Sequence, residues 1–67
     1  MDPNANLRAQ RKIATWFTNG GDATTEEWME RANRLAELVE ALDEWITAGG
    51  FLPDRWEIAR KRAGEQQ

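Results

Sequence analysis

The sequence predicts an all-α fold, a small three-helix hairpin or bundle with a long central helix. Apolar residues recur at helical spacing, helix start signals alternate with stop signals, and one helix-ending motif occurs twice. With 67 residues and no cysteine, the chain can form only a modest core without disulfides. We therefore expect a single helical domain over residues 1–67, stabilised by packing, self-association or a partner.

The repeated motif is Trp-x-Thr-x-Gly-Gly, which spans Trp16–Gly21 and recurs at Trp45–Gly50. Glycine just past a helix accepts the left-handed conformation that closes its C-terminus, and a second glycine eases reversal of the chain. Two helices are thus expected to end near 18–19 and 47–48. The predicted structural turn residues are Gly20, Gly21, Gly49, Gly50 and Pro53.

Capping residues mark the helix starts. Asp2 precedes a proline, Thr24 and Glu27 have the spacing of a capping box, and Pro53 can open a third helix. The expected helices therefore run roughly over residues 3–18, 25–48 and 53–63, with a frayed tail over 64–67.

The central helix carries an apolar stripe, which predicts the face that it buries. Trp28 and Trp45 are expected in the core, with Phe51 and Leu52 closing its end. The stripe comprises Trp28, Ala32, Leu35, Val39, Leu42 and Ile46, with Leu38 and Trp45 on one flank and Ala36 and Met29 on the other.

Charge is distributed unevenly along the chain. The net charge is +2 over residues 1–21, −6 over 22–48 and +1 over 49–67. An acidic helix between basic ones is expected to attract them when they pack. Whether its acidic strip is functional or only solvated is left open; the strip comprises Glu26, Glu30, Glu37, Glu40 and Glu44.

Composition argues against catalysis. The chain has neither cysteine nor histidine, so it lacks the commonest nucleophile–base pairs and metal ligands. We expect no enzyme activity, no catalytic or metal site and no cofactor. No apolar run is long enough to span a membrane and the N-terminus does not resemble a signal peptide, so the expected location is the cytoplasm.

Nucleic-acid binding is not favoured, because the longest helix is acidic and the basic residues are divided between the two ends. Two other interpretations stay open. One is a weak DNA contact through the cluster of Arg55, Arg60, Lys61 and Arg62. The other is an acidic DNA mimic.

Residues 10–17, Gln-Arg-Lys-Ile-Ala-Thr-Trp-Phe, resemble the box by which replication proteins dock on sliding clamps. In that box a helical turn directs one aliphatic and two aromatic side chains into a pocket beside the glutamine. The resemblance implies clamp-binding roles for Gln10, Ile13, Trp16 and Phe17. Against it, Ile13 and Phe17 lie on the apolar face of the first helix, where core residues are expected.

Residues 34–56 resemble a segment of small proteins from actinobacteria and their mycobacteriophage-like viruses. The shared residues are Ala-Leu-Asp-Glu-Trp over 41–45, Gly-Gly-Phe-Leu-Pro over 49–53 and Trp56, together with the Asp-Pro-Asn opening at 2–4. This resemblance implies a phage source and a host protein as target, and it implies no particular activity.

We therefore expect a non-enzymatic protein–protein interaction module. Three short helices cannot easily enclose four tryptophans and two phenylalanines, and exposed aromatic residues mark interfaces. The expected partner-binding residues are Gln10, Ile13, Trp16, Phe17 and Trp56. One alternative is a ligand of the host sliding clamp, and another is a self-assembling homo-oligomer such as a homodimer.

Overall fold

A computed structural model describes residues 1–65, and this part of the chain confirms the all-α fold. It contains three helices: α1 (Pro3–Thr18), α2 (Thr25–Thr47) and α3 (Asp54–Glu65). The expected frayed tail overlaps α3, which continues through Gly64 and Glu65. The remainder of that tail lies outside the described residues.

Both copies of the repeated motif end their helix in the same way. The amide of Gly21 donates to the carbonyl of Trp16 at 3.0 Å, and the amide of Gly50 donates to that of Trp45 at 2.8 Å. Gly20 and Gly49 adopt φ of 102° and 93°. This is the Schellman pattern, in which the first glycine supplies the left-handed turn.

The second glycine of each pair makes room for the motif tryptophan. A Cβ at Gly21 would lie 3.0 Å from the Trp16 ring, and a Cβ at Gly50 would overlap the Trp45 indole. The expectation that the second glycine eases chain reversal fits Gly21, whose φ is 50°, but not Gly50, which lacks a positive φ. The repeat therefore packs each tryptophan on the backbone of its own turn.

The helix starts use the expected side chains, with one difference. Asp2 accepts from the amides of Asn4 and Ala5, and Thr24 accepts from the amide of Glu27. Pro53 lies just before α3 instead of opening it, and its carbonyl accepts the first helical bonds.

The core lies between α1 and α2. Two contacts show that these helices run antiparallel: Asn6 near the start of α1 meets Leu38, and Trp16 near its end meets Trp28. Its buried hydrophobic side chains are few: Leu7, Leu38, Leu42, Pro3 and Pro53. Asn6 is buried among them and donates to the carbonyl of Leu38 at 3.0 Å. Gln10 donates to the Asn6 side chain at 2.6 Å, so a polar chain fixes the register of α1 on α2.

Helix α3 contacts the hairpin through its first turn. The amide of Asp54 donates to the Asn4 side chain at 2.7 Å, beside the buried ring of Pro53. Every residue from Ile58 to Gly64 is exposed. The molecule is consequently elongated: its radius of gyration is 14.5 Å, whereas a compact chain of this length has about 11 Å.

The expected attraction between the acidic central helix and its basic neighbours does not appear as ion pairs. Among residues 1–64, the three ion pairs all join residues of the same helix: Glu27 with Arg31, Glu37 with Arg34 and Glu57 with Arg60. For α3 the reason is that the helix extends away from the hairpin, whereas the cations of α1, which packs on α2, are exposed on its outer side: Arg8, Arg11 and Lys12.

Replacement of Asn6 tests the polar chain in the core. Asn6→Ala should lower the free energy of unfolding by about 1–2 kcal/mol, because Gln10 loses its buried acceptor. Asn33→Ala is the matched control, since Asn33 lies exposed on α2 and the change in helix propensity is the same. Urea unfolding followed by circular dichroism measures both; equal midpoints would contradict the role given to Asn6.

Replacement of Gly50 tests the packing of Trp45 on its turn. Gly50→Ala should lower the free energy of unfolding by about 1–3 kcal/mol in the wild type, because the indole must move. In a Trp45→Ala background the same substitution should lower it much less. Gly64→Ala adds a methyl group where no heavy atom lies within 4 Å, and should not destabilise. A Gly50→Ala cost that is unchanged by Trp45→Ala would refute this explanation.

Candidate functional site

The structure divides the predicted partner-binding residues between two ends of the hairpin. Trp16 and Phe17 lie beside Trp28, near the start of α2. Gln10 and Trp56 lie beside the other half of α2, together with Ile46. Positions 28 and 46 of a continuous helix are about 27 Å apart, so Trp16 and Trp56 do not share a site. Gln10 lies between them, about 9 Å along α1 from Trp16.

At the first end, three aromatic rings pack edge to face in a cluster, which we call the aromatic cluster: Trp16, Phe17 and Trp28. The ring centroids of Trp16 and Phe17 are 4.9 Å apart, and that of Trp28 lies 6.1 Å and 5.5 Å from them. The Arg31 guanidinium covers the Trp16 ring at 4.0 Å from its centroid. Each ring is thus held in place by at least one other ring.

Trp28 was expected in the core, but it is 43% exposed. Its indole N–H donates to the carbonyl of Gly21 at 2.6 Å, which fixes the ring over the loop. Met29 follows it on the surface and is 60% exposed. This end of the hairpin therefore presents one oriented tryptophan of the aromatic cluster and, next to it in sequence, one exposed methionine to solvent.

These exposures follow from where α1 rests on α2. The buried residues of α2 are Leu38 and Leu42, so α1 covers the Leu38 and Trp45 side of the predicted apolar stripe. The face that α2 buries is therefore rotated from the centre of the expected stripe toward Leu38 and away from Met29. The residues that this shift leaves exposed are Trp28, Met29, Ala32, Ala36 and Val39.

At the second end, Trp56 sits over a shallow groove of about 240 Å³, which we call the Trp56 groove. Its walls are Gln10, Val39, Leu42, Asp43, Ile46 and Trp56. Trp56 is 38% exposed and Val39 is 48% exposed. Phe51 does not close the core as expected; it is exposed, and its ring meets that of Trp45 edge to face.

The residues of the clamp-like box are engaged within the hairpin. Gln10 donates to Asn6, Ile13 is half-buried near Arg31 and Arg34, and Phe17 packs on Trp28. To reach a clamp pocket together, these side chains would have to leave α2. The geometry therefore does not favour docking through residues 10–17 of the folded chain.

Comparison with protein families, with curated proteins and with solved structures finds no match to the chain. No described helix is long and apolar enough to cross a membrane. Among the side chains of residues 1–64, no group of three acids is placed to hold a metal ion.

Sequence reasoning missed three exposed residues and one contact: Met29, Val39, Ile58 and the stacking of Arg31 on Trp16. Met29 and Val39 were placed in or beside the buried stripe, and their exposure depends on the position of α1. The Arg31 contact joins two helices, and no spacing within one helix could indicate it.

Removal of Arg31 tests the cover on Trp16. Arg31→Gln should lower the free energy of unfolding by about 0.5–1 kcal/mol, because a cation–π contact and an ion pair with Glu27 are both lost. Arg34→Gln removes an exposed ion pair with Glu37 and should change the free energy of unfolding by no more than about 0.3 kcal/mol. Equal effects of the two substitutions in urea unfolding would contradict a role for the Trp16 contact.

Proposed function

We propose that the chain is a non-enzymatic protein–protein interaction module that binds a partner protein with the aromatic cluster and Met29. The resemblance of residues 34–56 to phage and actinobacterial proteins supports a phage origin and a host protein as the partner. In this proposal the module acts in the cytoplasm of the host bacterium.

The observation that carries the proposal is an aromatic surface that is both exposed and held in position. Interface hot spots are enriched in tryptophan and arginine, and rings fixed in the free protein lose little conformational entropy on binding. Trp28 has that arrangement, held by Trp16, Phe17 and Gly21. Met29 beside it can adapt its shape to the partner.

A homo-oligomer is a second candidate, supported by the total surface. The chain exposes 5353 Å², whereas a compact protein of 7.7 kDa exposes about 4,300 Å². The excess of roughly 1,000 Å² is comparable with the area of about 800 Å² that each partner of a standard interface covers.

Capture from a lysate of an actinobacterial host, followed by reconstitution with the purified captured protein, tests the host-partner proposal. Met29→Glu should weaken the reconstituted complex at least about tenfold, because it places a charge in the centre of the contact. Trp28→Ala should weaken it as much. The purified sliding clamp is included as one candidate.

Ile58→Glu is the matched control, since Ile58 is an exposed apolar residue of α3, away from the aromatic cluster. It should change the affinity by no more than about twofold. Binding that Met29→Glu leaves intact would contradict the assignment of the cluster as the partner surface. All variants must retain the wild-type helical circular dichroism.

A further inference from the structure

We infer that a second copy of this chain docks on the outer side of α2, beside the Trp56 groove, through its α3. The two copies form a twofold-symmetric dimer in which the α3 of each lies along the α2 of the other. This surface is distinct from the aromatic cluster, so the inference is separate from the proposed binding of a host protein; it rests on the homo-oligomer candidate and names the surfaces that join the copies.

The first support is that α3, beyond its first turn, does not pack against the rest of the described chain. From Ile58 to Gly64 every residue is exposed, and Ile58 itself is 51% exposed. A helix of 12 residues is marginally stable in water without packing. A second molecule supplies the missing packing.

The second support is the charge around two exposed apolar residues. Four residues lie at helical spacings of three and four from Ile58 on α3: the cations Arg55, Lys61 and Arg62 and the acid Asp54. These three cations form no ion pair with any of residues 1–64.

Val39 has the opposite surroundings. Asp43 follows it by one turn on α2, Glu40 and Glu44 lie farther round the exposed side of the helix, and none of these acids forms an ion pair with residues 1–64. An isoleucine with three cations around it thus matches an exposed side of α2 on which a valine is accompanied by three acids. In a twofold-symmetric pair this contact forms twice, and it fixes which side of α2 is covered.

The third support is the area available. The whole chain exposes roughly 1,000 Å² more than a compact chain of its mass, which is enough to supply the about 800 Å² that each side of a standard interface covers. A dimer formed in this way buries the exposed side of α3 without moving α1 from α2. It also leaves Trp28 and Met29 free.

Sedimentation equilibrium of the full chain over a range of concentrations tests the inference. The wild type should approach twice the mass of 7.7 kDa with a Kd of about 1–100 μM, and salt should weaken the dimer. Lys61→Glu with Arg62→Glu, and separately Glu40→Lys with Glu44→Lys, should each raise the Kd at least about tenfold. A mixture of these two double variants should associate again, as a heterodimer.

The matched control is Arg8→Glu with Lys12→Glu, which reverses two exposed cations on α1 and should leave the dimer intact. A wild type that stays monomeric up to about 1 mM would overturn the inference. So would a dimer that neither α2 nor α3 reversal weakens. Met29→Glu should not change the dimer, so failure here is separate from failure of host-protein binding.

Discussion

The packing of α1 on α2 around Leu7, Leu38 and Leu42 is the constraint on which the rest of the structure depends. The two helices pack together through one face of each. Two hydrogen bonds, from the Gln10 side chain to Asn6 and from Asn6 to the Leu38 carbonyl, set the register of α1 on α2. Apolar residues on the other sides of α2 stay exposed unless another molecule binds there. The surfaces at both ends of the hairpin follow from that limit.

The repeated motif contributes to this arrangement as architecture. Each copy ends a helix with a left-handed glycine and then lays its tryptophan on the next glycine. In the first copy the ring of Trp16 joins the aromatic cluster, where Arg31 covers it. In the second copy Trp45 donates to the Phe51 carbonyl, which helps to direct the chain toward Pro53 and α3. One turn geometry therefore positions two different surfaces.

Local signals in the sequence were sufficient for α1 and α2 and their ends, whereas α3 runs over Asp54–Glu65 and not over the expected 53–63. Asp2, Thr24 and the two glycine pairs act through neighbours within a few residues, so spacing alone could indicate them. The side of α2 that is buried could not be predicted in the same way. It depends on where Asn6 meets Leu38, a contact across 32 residues, and the exposure of Trp28 follows from it.

The sequence predicted that aromatic residues would be exposed on the candidate surfaces, but it did not predict all of them correctly. An excess of aromatic residues over what a small core can hold indicated that some must be exposed. Trp56 was correctly placed among the exposed ones, whereas Trp28 was wrongly assigned to the core. The position of α3 was not foreseen, because a short connection usually returns a helix along its neighbour. Here Pro53 is buried against the start of α1, and α3 leaves the hairpin after one turn.

The central claim is that the hairpin is self-sufficient, whereas α3 beyond Trp56 gains its packing from a second copy. Amide hydrogen exchange, measured per residue at several protein concentrations, tests it most directly. Amides around Leu38 and Leu42 should be protected at every concentration, whereas those of residues 58–63 should become protected only as concentration rises. Protection of residues 58–63 equal to that of Leu38 in the most dilute sample would contradict the account.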